Sequence, residues 1–167
     1  MSLPEWLTSR LQLPAISAPM FIVSQPDLVM AQCRSGIVGS FPSLNARGDG
    51  VFEQWLQQLN AELTDNDAPF AVNLIVHRSN ARLQEDLELC VKYKVPLVIC
   101  SLGAREEVND AIHSYGGMVL HDVINDKFAR KAVEKGADGV VAVAAGAGGH
   151  AGTISPFALV SEIREWF

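Results

Sequence analysis

Short apolar runs alternate along this chain with stretches that are apolar on one side only. Pro14 to Phe21, Gly36 to Phe41, Phe70 to Val76, Val95 to Ser101, Gly117 to His121 and Val140 to Ala145 carry no acidic or basic side chain except the terminal His121. Unbroken apolar runs of this length suit strands of a parallel sheet that is covered on both faces. Between them, Gln25 to Cys33, Val51 to Leu63, Leu83 to Tyr93, Ala104 to Ser114, Asn125 to Lys135 and Ser155 to Trp166 read as helices. Phe52, Trp55, Leu56 and Leu59 recur at three-and-four spacing, as do Leu83, Leu87, Cys90 and Val91, and then Val108, Ala111 and Ile112. Pro26 and Pro156 suit first helical turns, and Gly136 suits a helix end. Pro19 has no N–H to donate and should end the ladder of the first strand. Residues 1–13 read as a short amphipathic lead-in, and Arg47-Gly-Asp-Gly50 as a turn.

Strand and helix thus alternate six times, which predicts an α/β fold, either a barrel or a doubly wound sheet. The connections are short and even, with none long enough to mark a change of sheet face, and this favours a barrel of the (β/α)8 TIM type. Such a barrel has eight strands and typically ~250 residues. The expectation is therefore one partial barrel domain over residues 1–167, with about six βα units and with strands seven and eight outside it. Its inner face should be built from Val72, Ile99, Val119 and Val141 or their strand neighbours. Its open edges should favour self-association.

Composition narrows the class. Hydrophobic residues make up 49% of the 167 and charged residues 19%, as in a globular domain. The net charge is −6 without a basic run, so no nucleic-acid partner is expected. No apolar stretch reaches membrane-spanning length, and the first residues do not read as a secretion signal. Cys33, Cys90 and Cys100 form neither a disulfide framework nor a Cys-x-x-Cys pair. A reduced, cytoplasmic setting is expected, with at least Cys90 and Cys100 packed in the core.

The chemistry concentrates in Asp138 to Gly152. An uncharged strand there breaks into Gly146, Gly148, Gly149 and Gly152, with His150 among them. A glycine-rich turn at a strand end lets backbone approach a ligand, and histidine exchanges protons near neutral pH. His77 and His113 read as surface residues. No His, Cys, Asp or Glu cluster has metal-ligand spacing, so no metal is expected.

Ala145-Gly-Ala-Gly-Gly-His-Ala-Gly152, following Gly-Ala-Asp-Gly-Val-Val, resembles the nitronate monooxygenase family, formerly the 2-nitropropane dioxygenases. Ala18-Pro19-Met20, Phe70-Ala-Val-Asn-Leu74 and His121-Asp122-Val123 match in the same order. The resemblance runs along the whole chain and covers about two-thirds of the family's length. Flavin-dependent enoyl-acyl-carrier-protein reductases share a similar Gly-Gly-His, so the reaction stays open between the two. The resemblance implies a TIM barrel with FMN at the C-terminal ends of its strands, and oxidation of a small nitronate or nitroalkane by O₂ to a carbonyl compound and nitrite. It implies His150 as the catalytic group. Ala18, Pro19, Met20, Asn73, His121, Asp122, Gly148 and Gly149 would line the cofactor. Asp122 stands where some relatives carry a lysine. The FMN phosphate would be held by the loops of strands seven and eight, beyond Phe167. The alternatives are an enoyl-reductase-like enzyme using NAD(P)H, and a non-catalytic half-barrel that binds a partner.

Overall fold

Five strands lie side by side in the order in which the chain makes them. The computed structural model describes residues 3–149 and 152–167. Two helices, α1 (Glu5–Thr8) and α2 (Pro26–Arg34), precede strand β1 (Gly39–Pro42). Then follow α3 (Val51–Glu62), β2 (Phe70–Ile75), α4 (Leu83–Lys92), β3 (Leu97–Ser101), α5 (Glu106–His113), β4 (Met118–Val123), α6 (Asp126–Glu134), β5 (Gly139–Ala142) and α7 (Pro156–Arg164). All four strand pairings are parallel, and the sheet order is β1-β2-β3-β4-β5. A doubly wound sheet reverses its order at a switch point. This one does not, which is the winding of a barrel.

The predicted first strand survives only as a single parallel bridge between Ile16 and Val38. Ser17 N–H donates to the Val38 carbonyl at 2.8 Å, and Val38 N–H to the Ala15 carbonyl at 3.0 Å. Pro14 and Pro19 bracket the segment and cut the ladder short. Side chains then take over. Ser40 N–H donates to Ser17 Oγ at 3.0 Å, and the Ser40 hydroxyl donates to the Ser17 carbonyl. The segment lies where a barrel's first strand would lie, held by one backbone bridge and, beyond it, by two serines.

Side-chain alternation along the strands divides the core. Phe41, Val72, Leu74, Val98, Cys100 and Val119 pack with Phe52, Leu56, Leu87, Cys90, Val108 and Ile112 of the helices. Burying one such Leu, Val or Phe side chain contributes about 1.5–3 kcal/mol. Val38, Ala71, Leu97 and Ile99 form the other face, with Met118 and Leu120 against them. Leu7 of α1 is buried in this second cluster, and Trp6 packs on it. The amphipathic lead-in therefore closes the inner face at the N-terminal ends of the strands. Val72 and Val119 were expected on the inner face, but the strand alternation turns both toward the helices; Ile99 is on the inner face.

The last unit is built from smaller residues. Val123, Ala129, Ala132, Ala137, Ala144, Leu159 and Ile163 form its core. Val141 on β5 is 37% exposed and Phe157 on α7 is 85% exposed. All three cysteines are free and buried.

Candidate active site

In a barrel the reactive groups come from the C-terminal strand ends, and that end of this sheet carries most of the residues singled out above. Asn73 follows Val72 in β2 and so faces inward, opposite to Leu74, which packs on the helices. Its Nδ2 donates to the Ile99 carbonyl at 2.9 Å and to Ser101 Oγ at 2.7 Å. Both amide N–H groups are spent inside the sheet, so what the side chain can offer a ligand is its acceptor oxygen. Asn73 and Ser101 are buried, at 5% and 8% exposure. Ser101 was missed in the sequence. Its signal was the two-residue period from Ile99, which puts it on the inner face at a strand end.

Asp122 lies on the same face, two residues beyond Leu120 and opposite Val141 in the register. It is half-buried. His121, one residue earlier, points the other way. It is fully buried, with Nε2 2.9 Å from Asn109 Oδ1 on α5 and Nδ1 3.2 Å from the Gly103 carbonyl. Burial lowers its pKa below the ordinary histidine value, against the raising effects of the Gly103 carbonyl and of Asp122. His121 thus belongs to the helix layer, where it ties α5 and the β3–α5 loop to β4. The expectation that it lines the cofactor does not fit this orientation, because adjacent residues of a strand cannot face the same side.

Two loops border this end. The first runs from Ala18 to Ser24. Met20, Phe21, Ile22 and Val23 are all exposed, at 42%, 57%, 61% and 59%. Ala18 is exposed and Pro19 half-buried. The second loop follows β5. Gly146 and Gly149 have positive φ of 89° and 72°, and a Cβ placed on Gly146, Gly148 or Gly149 would meet nothing within 4 Å. Gly152 is different. A Cβ there would lie 2.2 Å from the Val143 carbonyl oxygen, so the loop returns to its own strand only because this residue has no side chain. Ala145 N–H donates to the Ile154 carbonyl at 2.8 Å and closes the loop's base. His150, expected as the catalytic residue, lies outside the described residues.

His77 is exposed and bonds Ser79 at 2.8 Å, while half-buried His113 pairs with Asp138 at 2.8 Å. His77 sits in the loop at the C-terminal end of β2, and His113 ends α5, at the opposite end of the sheet. Among the described residues no group of three or more His, Cys, Asp or Glu could hold a metal ion. No described helix is long and apolar enough to cross a membrane. A cavity of about 400 Å³ lies on the outside, between α3 and α4, lined by Asp49, Glu53, Glu85, Asp86 and Glu88 with Arg82 and Lys92. Its carboxylate excess suits no phosphate-bearing ligand, and it opens between helices rather than on the inner face. We therefore place the site by the strand ends.

The glycine loop passes a test for a flat ligand. A side chain at Gly146, Gly148 or Gly149 would project into open space, so each leaves backbone that a ring can approach. The loop contains no Lys or Arg, so it suits the uncharged ring and sugar-alcohol part of FMN better than the phosphate.

The fold defines a barrel-type α/β protein, and the C-terminal ends of its strands carry the candidate site. Solved structures share this shape. FabK from Thermotoga maritima superposes with a TM-score of 0.84 at 25% identity, over 96% of this chain and 49% of that one. Nitroalkane oxidase from Streptomyces ansochromogenes superposes with a TM-score of 0.83 at 23% identity, over 95% of this chain and 57% of that one. The resemblance to the nitronate monooxygenase family is thus met in the fold. In sequence, a 5-hydroxy-7a-methyl-1-oxo-octahydro-1H-indene-4-carboxyl-CoA dehydrogenase of Rhodococcus jostii is 24% identical over 154 residues, which are 92% of this chain and 42% of that protein. No protein-family model matches the chain. The chain spans about half the length of these relatives, less than the two-thirds expected.

Proposed function

We propose that this chain serves an FMN-dependent oxidoreductase of the nitronate monooxygenase type, acting on a small nitronate or nitroalkane. The observation that supports this most is the pairing, at one end of one barrel-type sheet, of an open glycine loop with a buried Asn73–Ser101 pair.

Gly148 and Gly149 would lie against the flavin, Asn73 would accept a hydrogen bond from it through Oδ1, and Ala18, Pro19 and Met20 would bound it on the other side. When bound, FMN would supply the electron transfer of the reaction. The protein's part is to bind, orient and move protons. Ser101 fixes the Asn73 amide, so its acceptor oxygen is aimed before a ligand arrives. Met20 to Val23 give an apolar border that excludes water. His150 is the one side chain of residues 146–152 that titrates near neutral pH, and it would take or hold the proton of the substrate carbon.

One observation favours a second reading, an enoyl reductase using NAD(P)H. The Gly148-Gly149-His150 run is similar to one in flavin-dependent enoyl-acyl-carrier-protein reductases as well. The deciding experiment incubates the protein with FMN, separates bound from free flavin, and assays nitronate with O₂ against enoyl thioester with NADH or NADPH. Turnover in the first supports the proposal, and turnover only in the second replaces it. A colourless protein with neither activity supports a binding half-barrel.

A further inference from the structure

We propose that Asn45 is the positioning residue of the site. It locks the Ala18–Ser24 loop in the conformation that presents Met20 to Val23 as a wall. The proposal rests on the functional reading above for what that wall meets, and on geometry alone for the lock.

Asn45 stands just past β1, at the end of a single 3-10 turn, Ser43–Asn45. Its one amide makes three hydrogen bonds to a loop more than twenty residues earlier. Nδ2 donates to the Met20 carbonyl at 3.0 Å and to the Ser24 carbonyl at 2.8 Å, and Oδ1 accepts Ile22 N–H at 2.9 Å. Ser24, fully buried, completes the ring from inside the loop. Its Oγ accepts Met20 N–H at 3.0 Å, and its own N–H donates to the Met20 carbonyl at 3.0 Å.

The conformation so held is one the loop would not choose. Ile22 has φ +69°. A β-branched residue in the left-handed region is a genuine outlier, because its side chain crowds its own backbone. Such strain persists only where surrounding bonds over-determine it, and it clusters at ligand-binding segments. Asn45 supplies those bonds. The lock also works against burial, since it keeps four large apolar side chains in solvent. Arg47, two residues on, lies over the Phe21 ring at 5.4 Å and braces the same wall.

The wall has no group that exchanges protons. Losing the lock should therefore weaken binding and leave the proton-transfer step alone. In the flavin-loaded enzyme, Asn45→Ala should raise KM about tenfold, with kcat within about twofold and an unchanged pH profile. Asn45→Asp keeps the acceptor for Ile22 N–H but turns both donations into repulsions, so it should be no better than Asn45→Ala. Ile22→Gly removes the strain, and in that background Asn45→Ala should raise KM much less. A second readout needs neither flavin nor substrate. Chymotrypsin should cut the free chain after Phe21 several-fold faster in Asn45→Ala than in wild type, with global melting unchanged. Equal cutting rates overturn the lock. Faster cutting with an unchanged KM overturns the positioning role. If wild type binds no flavin and turns over neither substrate, the functional reading fails and with it the positioning role, while the cutting rates still decide the lock.

Discussion

The two loops at the C-terminal strand ends are built in opposite ways. The Ala18–Ser24 loop presents large side chains and is fastened by two polar residues, Asn45 and Ser24. In the loop after β5, there is open space above Gly146, Gly148 and Gly149. One wall offers shape, through apolar surface held in place. The other offers backbone, through three glycines. A flat ligand with a polar rim and an apolar face needs both. The contrast also says which substitutions should harm binding, folding, or neither.

The largest effect is expected at His150, the one titrating side chain of the glycine stretch. His150→Ala should lower kcat/KM for nitronate by about 10²–10⁴, the usual contribution of a general base, with flavin still bound. An enzyme with unaltered kcat/KM would remove the proton role from this wall. Next comes Gly152→Ala. Its Cβ would meet the Val143 carbonyl, which is backbone and cannot rotate away. Overpacking of this kind costs about 1–3 kcal/mol, measurable as a lower melting temperature or denaturant midpoint. Wild-type stability would mean that the loop re-forms easily.

Gly148→Ala sharpens the comparison, since it separates folding from binding. Gly148 has open space above it and is not among the positive-φ glycines. Melting should not change, while the FMN Kd should rise about tenfold, worth ~1.4 kcal/mol. An unchanged Kd would take the flavin away from this glycine. The smallest effect is expected on the other wall. Arg47→Ala removes an exposed cation–π contact to Phe21, worth about 0.5–1 kcal/mol, and should shift substrate KM by a few-fold at most. A large loss of stability there would show that Arg47 does more than brace the loop.

Much of this fold could be read from the chain before any coordinates. The helices and inner strands lie within three residues of their expected bounds, because unbroken apolar runs and three-and-four spacing are local signals. The first strand was less legible. Its apolar run is real, but the prolines at 14 and 19 leave room for one bridge, and the serines that replace the missing pairs become visible only when Ser17 and Ser40 meet in space. At the site, Asn73 stood out as a lone amide in an apolar strand. His121 and Asp122 were read together as a motif, yet adjacent strand residues face opposite sides. The inner-face reading of Val72 and Val119 conflicted with an inward Asn73 for the same reason. Asn45 carried no local signal. Its partners lie twenty-one to twenty-five residues away, and nothing in Ser43-Leu-Asn45 announces a loop to be held.

The cysteines have a practical consequence. All three are buried, and burial pushes the thiols of Cys33 and Cys100 up to about 11 and about 12, and that of Cys90 well above its ordinary value. Thiolate is the reactive form, so the folded chain should be nearly silent toward maleimide and iodoacetamide reagents. A single cysteine introduced at Ala147 or Val23 would then be the one reactive handle. A fluorophore or spin label attached there would report on one wall at a time, without first stripping the native thiols from the core.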